Sequence, residues 1–271
     1  MRELLDKAIS VAIKAGKATL DFYGKEFTVE AKSDNSPLTQ ADKASHQIIE
    51  KALAGLGIPF LSEESIQPVY EERKNWKKFW LVDPLDGTKE FIKKSGEFTV
   101  NIAVIEDGKP VLGVVYAPVP DILFFGIVGE GAFKLENAGV NFLNIDSSPM
   151  LPMPTVKKTN ETIVVASKSH NNQETQHFIA KLEKQKGPLT IQSYGSSLKL
   201  CMVADGEAHV YPRLGPTMEW DTAASHAIVE AAGFSIVQYP SFKPVVYNKE
   251  NLLNPFFLVF DKNYREIVEN L

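Results

Sequence analysis

The stretch Phe79-Trp80-Leu81-Val82-Asp83-Pro84-Leu85-Asp86-Gly87-Thr88 constrains the fold of this 271-residue chain more than any other. Phe79 to Val82 is a short apolar run that reads as a buried strand, ending at Asp83-Pro84. It delivers Asp83 and Asp86 into a turn closed by Gly87. A helix can then begin at Thr88 with Asp86 as its N-cap. Two Asp residues three apart on a tight turn can point at one place and bridge hard divalent cations, which prefer oxygen ligands. The backbone N–H groups of Gly87 and Thr88, at a helix start, suit a phosphate. Taken alone, Asp-x-x-Asp reads more readily as a strand end and a cap, since Asp is favoured in both caps and turns.

Around this stretch the pattern is regular and free of internal repeats. Residues 3–22 place Leu4, Ala8, Val11, Ala15 and Phe22 on one helical stripe that stops at Gly24. A second amphipathic helix covers 40–54. Residues 98–105, 110–117 and 122–128 are rich in Val, Ile and Phe, with turns at Asp107-Gly108 and Gly129–Gly131, and predict an antiparallel meander. Pro149, Pro152 and Pro154 fall in a polar segment between Asp146 and Asn160, which predicts two domains, 1–148 and 149–271. The second holds strands at 162–166, 189–193, 207–211, 234–238 and 256–260. Its helices are expected at 172–185, 196–204 and 222–232, the last with Gly233 at C′. Helices alternating with strands predict layered α and β architecture, between α+β and α/β.

Charge and cysteine content narrow the function. Lys plus Arg number 29 against 34 for Asp plus Glu, a formal charge of -5. That balance argues against a nucleic-acid polymer as partner, which needs a cationic face. A phosphorylated small molecule stays admissible, because bound metal ions can reverse the sign of a site. The single cysteine, Cys201, excludes an internal disulfide and a Cys-rich zinc site, and on its apolar helical segment it reads as core. The charged start and the lack of about 18 consecutive apolar residues argue against a signal peptide and a membrane span, so a cytoplasmic protein is expected. Ser196-x-x-Lys199 with Ser33-Asp34-Asn35 imitates β-lactamase signatures, but in reversed order and without Lys-Thr-Gly. Gly129-x-Gly131 lacks the third glycine of a dinucleotide loop.

Further acidic positions converge on the same chemistry. Ser62-Glu63-Glu64-Ser65 follows the apolar Ile58-Pro59-Phe60-Leu61, so it lies at a strand end, where a solvated loop is the plain alternative. Glu219-Trp220-Asp221-Thr222-Ala223-Ala224 puts Asp221 at the N-cap of an Ala-rich helix. Thr39-Gln40-Ala41-Asp42 is a capping-box-like helix start. Strand-Asp-Pro-Leu-Asp-Gly-Thr, the upstream Glu-Glu and the downstream Trp-Asp-x-Ala-Ala together resemble the inositol monophosphatase superfamily of metal-dependent, lithium-sensitive phosphatases. The likeness runs over nearly the whole chain. Lys89-Glu90-Phe91-Ile92 and Gly96-Glu97-Phe98-Thr99-Val100-Asn101-Ile102 are similar to its bacterial 3'(2'),5'-bisphosphate nucleotidase branch.

The resemblance implies a layered αβαβα sandwich of the inositol monophosphatase and fructose-bisphosphatase type. It implies Mg²⁺, two or three ions, with Glu63, Asp83 and the Leu85 carbonyl at one and Asp83, Asp86 and Asp221 at another. Asp42 and Thr88 match the pair that orients and deprotonates the attacking water. Two cations about 4 Å apart can ionise that water and neutralise the departing alkoxide, so no covalent nucleophile is needed. The implied reaction removes the 3'-phosphate of adenosine 3',5'-bisphosphate, a step tied to sulfate assimilation. Substrate contacts are implied for Glu63, Gly87, Thr88 and Asp221, and in the second domain for His170, Ser196, Lys199 and Arg213. Lys199 and Arg213 read singly as solvated cations, and His170 as a cap or surface residue. As a set they favour a second phosphate over a neutral polyol. An inositol or sugar-bisphosphate phosphatase of the same superfamily is the alternative, and a catalytically silent relative is the non-enzyme one. The expected state is a monomer or homodimer, and peripheral contact with the inner membrane stays compatible.

Overall fold

The computed structural model describes residues 1–25, 29–31, 37–155, 161–167 and 172–271. In chain order the elements are α1 (Arg2–Leu20), β1 (Val29–Ala31), β2 (Pro37–Thr39), α2 (Gln40–Leu53), β3 (Phe60–Ser62), α3 (Tyr70–Arg73), β4 (Lys78–Asp86), α4 (Thr88–Ile92) and β5 (Thr99–Glu106). Next come β6 (Lys109–Ala117), β7 (Ile122–Ile127), β8 (Gly131–Glu136), α5 (Ala138–Asn141), β9 (Leu151–Pro152), β10 (Thr162–Ser167), α6 (Gln173–Lys186) and β11 (Leu189–Tyr194). The chain closes with α7 (Leu198–Ala204), β12 (Val210–Arg213), α8 (Glu219–Ala231), β13 (Ser235–Gln238), β14 (Phe257–Phe260) and α9 (Arg265–Glu269).

Strands β3 to β9 form a seven-stranded sheet in sequential order. Every neighbouring pair is antiparallel except β3 with β4. The second sheet has five strands in the order β11-β10-β12-β14-β13. Side chains alternate across a strand, so each sheet has two faces to cover. Trp80, Val82, Val100, Ile102 and Val114 pack on Leu5, Ile9 and Ile13 of α1 and Ile49 and Leu53 of α2. The alternate residues Phe79, Leu81, Ala103, Ile105 and Val115 share a core with α7, α8 and one face of the second sheet, through Val165, Tyr211, Phe257 and Val259. Val164, Val210, Leu258 and Phe260 turn the other way, onto Phe178 and Leu182 of α6 and Val268 of α9. The result is the expected αβαβα sandwich, and it explains why β4 is apolar on both faces.

Helix α8 lies directly on β6. A Cβ on Gly113 would stand 1.9 Å from the Ala224 carbonyl oxygen, so glycine is what permits that approach. Gly233, at φ 87° one residue past the Ala232 C-cap, ends α8 as expected. The strand expected at 207–211 instead spans Val210–Arg213. Asp205 and Gly206 close α7 through the Cys201 and Val203 carbonyls, and Glu207 to His209 carry the chain back to the sheet. Leu151-Pro152, inside the proline-rich segment, adds the edge strand β9 to the first sheet. The passage from one sheet to the other therefore falls between Pro152 and Thr162. Cys201 is buried in the shared core. No helix among the described residues is long and apolar enough to cross a membrane.

Candidate active site

The site forms where β4 ends. The β4–β5 register runs evenly to Asp83 opposite Asn101, then shifts so that Asp86 faces Thr99. Pro84 sits in this irregularity, and its carbonyl accepts the Ser45 hydroxyl of α2 at 2.6 Å. Asp83 is buried, and its Oδ1 accepts the Leu85 N–H at 3.0 Å. Asp86 Oδ2 accepts the Ser197 N–H at 2.6 Å, with Asn101 Nδ2 at 3.4 Å. Asp86 is thus the last residue of β4 and not the expected N-cap. That place is taken by Gly87 at φ 94° with no side-chain cap, because the Asp86 carboxylate serves a donor from the other half of the chain.

Asp42 is buried at the third position of α2. Its Oδ2 accepts the Thr39 N–H at 2.8 Å, completing the expected capping box, and its Oδ1 accepts the Thr88 hydroxyl at 3.1 Å. The capping role and a role beside Thr88 are compatible, since each uses a different oxygen. Thr88 Oγ1 also lies 3.4 Å from the Leu85 carbonyl oxygen. Glu63 follows β3, with its N–H on the Val82 carbonyl at 3.1 Å, and so stands beside the β4 turn. Asp221 is also not an N-cap. Met218 caps α8, and Asp221 at the third helical position accepts the Met218 N–H at 2.9 Å.

Electrostatics tie these positions together. Burial pushes the Asp221 carboxyl well above the usual range, and the charges of Asp86 and Glu63 push it further. Burial also raises Asp86, against the opposing pull of Lys199. Among the described residues, no three His, Cys, Asp or Glu side chains gather closely enough to form a ready-made metal cage. Asp83, Asp86 and Asp221 each turn an oxygen to a backbone N–H instead. The donor set nonetheless fits a hard cation. It consists of oxygens alone, and its desolvated carboxylates repel one another in the way a divalent ion relieves.

The same cleft carries basic groups. Lys199 and Arg213 are both buried and not solvated. Lys199 Nζ donates to the Ser196 carbonyl at 2.6 Å and the Tyr194 carbonyl at 3.2 Å. Burial lowers its pKa to about 8, partly offset by Asp86. Arg213 Nη2 donates to the Pro216 carbonyl at 2.7 Å, while its buried Nε and the buried Ser196 Oγ have no partner among the described residues. A cleft of about 110 Å³ is lined by Asp86, Gly87, Ser196, Lys199, Arg213 and Asp221. His170 lies outside the described residues, as does Ser33-Asp34-Asn35. Thr99 and Asn101, which lie in the Gly96–Ile102 segment of the nucleotidase likeness, and Ser197 join the site without having been given a role there from the sequence. The available signal was a pair of polar residues, two apart, on the otherwise apolar strand β5.

Comparison with known proteins gives a consistent picture. The family model described as "Inositol monophosphatase family" matches residues 1–257. The 3'(2'),5'-bisphosphate nucleotidase CysQ of Shigella flexneri is 45% identical over 261 residues, covering 94% of this chain and 99% of that one. CysQ of Escherichia coli K12 is 44% identical over the same span and coverage. The crystal structure of CysQ from Bacteroides thetaiotaomicron superposes with a TM-score of 0.88 at 44% identity, covering 97% of this chain and 98% of that one. SuhB from Bartonella henselae has a TM-score of 0.77 at 23% identity, over 99% of this chain and 97% of that one, and shares the fold.

Proposed function

The chain belongs to the inositol monophosphatase family, and we propose that it is a 3'(2'),5'-bisphosphate nucleotidase, a phosphomonoester hydrolase that removes the 3'-phosphate of adenosine 3',5'-bisphosphate to give AMP. The observation that carries this reading is one cleft lined by both acidic and buried basic groups. Asp86 and Asp221 line it together with buried Lys199 and Arg213, and among the described residues Arg213 Nε and Ser196 Oγ have no hydrogen-bond partner. A neutral polyol can offer hydroxyls to those donors but brings no charge to the two buried cations. A second phosphate satisfies them.

In this reading Glu63, Asp83, the Leu85 carbonyl, Asp86 and Asp221 would hold Mg²⁺, two or three ions in all. When bound, such cations supply positive charge for the phosphoryl oxygens and lower the pKa of a water. Thr88 gives its only hydroxyl proton to Asp42, which leaves the Oγ lone pairs to accept a proton from a water. That water attacks phosphorus, its proton passes by way of Thr88 to Asp42, and the ribose oxygen leaves with the bond pair and takes a proton from solvent to become the 3'-hydroxyl. Gly87 and Thr88 line the phosphate. Ser196, Lys199 and Arg213 hold the second phosphate, with His170 bordering the nucleoside. We place the enzyme in the cytoplasm as a monomer or homodimer, with peripheral contact to the inner membrane compatible. A role in sulfur metabolism and sensitivity to lithium belong to the same reading.

The deciding experiment is parallel turnover of adenosine 3',5'-bisphosphate and inositol 1-phosphate with Mg²⁺. The nucleotide is expected to react faster, and millimolar lithium to inhibit. Faster release from inositol 1-phosphate would transfer the assignment to the inositol branch. Phosphate release from neither would make the chain a silent relative.

A further inference from the structure

Asp86 is held by a residue of the second half of the chain. The Ser197 N–H donates to Asp86 Oδ2 at 2.6 Å. The Ser197 hydroxyl lies 2.8 Å from Asn101 Oδ1 and 2.8 Å from Thr99 Oγ1, and Asn101 Nδ2 faces the same Asp86 Oδ2 at 3.4 Å. Donor chemistry sets the direction of each bond. An amide oxygen only accepts, so Ser197 gives its single proton to Asn101, and Thr99 gives its own to Ser197. An ionised carboxylate only accepts, so Asn101 turns its NH2 towards Asp86. The outcome is one directed chain, Thr99 to Ser197 to Asn101 to Asp86. Thr99, Asn101 and Ser197 are 0%, 1% and 2% exposed, so water does not compete for any of the first three links.

We propose that Ser197 is a positioning residue for Asp86. Its N–H and hydroxyl, acting directly and through Asn101, fix Oδ2 and leave Oδ1, which has no hydrogen bond among the described residues, to meet a divalent cation. The inference rests on reading Asp86 as a metal ligand. Ser197 also begins α7, between Ser196 and Lys199, and the neighbouring Gly195 N–H donates to Glu97 Oε2 at 3.0 Å. The anion-binding loop and the acidic turn are therefore registered to one another through a single residue. Partners that orient a metal ligand typically alter affinity by about 10–100-fold when removed.

The test is Mn²⁺ binding to the substrate-free protein, followed by electron paramagnetic resonance, with far-UV circular dichroism melting as the control for folding. Ser197→Ala, which keeps the N–H on Asp86 and removes the hydroxyl that orients Asn101, is expected to weaken Mn²⁺ about tenfold, the lower end of the range for such partners. Thr99→Val, which removes only the first donor of the chain, is expected to weaken it less, and Thr99→Ser to bind as the parent does. In an Asp86→Asn background Ser197→Ala is expected to add nothing, because its effect passes through that carboxylate. Parent-like Mn²⁺ affinity in Ser197→Ala, or an equal loss with and without Asp86, would overturn the proposal. Should Ser197→Ala fail to fold, equal affinities for Thr99→Val and Thr99→Ser would do so. Full Mn²⁺ affinity and turnover in Asp86→Asn would instead remove Asp86 from the metal site, whatever the Ser197 variants show.

Discussion

Thr88 has one hydroxyl proton and two acceptors within reach, and the nearer is the Asp42 carboxylate. Thr88→Val keeps the shape of the side chain and removes the hydroxyl that the proposed proton transfer uses. Turnover is expected to fall by about 10²–10⁴-fold, the range for a lost acid–base partner, while Mn²⁺ affinity stays at the parent value. Parent-like kcat would exclude Thr88 from proton transfer. Arg213 is a buried cation of the cleft. Arg213→Ala is expected to raise KM for adenosine 3',5'-bisphosphate about 30-fold or more, as truncating a buried charge does, with little change for inositol 1-phosphate. Equal effects on both substrates would remove Arg213 from the discrimination. The acidic positions stood out in the sequence only as a set, since each alone reads as a strand end, a loop or a cap. Their caps were not legible, since Asp86 answers to Ser197, 111 positions later, and Asp221 answers to Met218 behind it. Local rules of helix starts carry no information about a donor that arrives from another sheet.

Most elements follow from period and punctuation: α1 and α2 from their stripes, and the β5–β6–β7 meander from its turns. The order of the second sheet, β11-β10-β12-β14-β13, was not readable, because crossovers and long connections leave no pairing signal in sequence. One pair outside the site joins elements that the sequence kept apart. Lys134 of β8 meets the fully buried Asp205 at the end of α7 at 2.9 Å, and Asp205 also accepts the Thr155 N–H. Burial alone would lower the Lys134 pKa, but the Asp205 carboxylate more than offsets this and holds it above 10.5. A lysine raised in the folded state gives its stabilisation in full below the unfolded pKa and loses it as pH rises through the folded one. Lys134→Met is therefore expected to cost about 3–5 kcal/mol in urea unfolding, since Asp205 is left buried without its cation. The loss should be constant from pH 6 to 9. It should shrink only above the ordinary lysine value of 10.5, and a difference that vanished near pH 8 would contradict the assignment.

Across the whole molecule, one core serves both sheets: Phe79, Leu81 and Val115 from the first and Tyr211, Phe257 and Val259 from the second pack around α7 and α8. The proline-rich connection is a boundary in the chain and not in the core. A fragment ending at residue 155 would expose that face of the first sheet and is expected to aggregate or to bind 1-anilinonaphthalene-8-sulfonate strongly. A soluble fragment without dye binding would mean that the first sheet stands alone. The cleft divides by provenance. Except for Asp221, its acidic groups come from the first 90 residues; of its basic groups, the buried Lys199 and Arg213 come from the second half of the chain and the exposed Lys89 from the first. Transplanting residues 198–214 from a relative with another preference would thus retarget the hydrolase without rebuilding its engine, and Ser197 marks where such a graft has to begin.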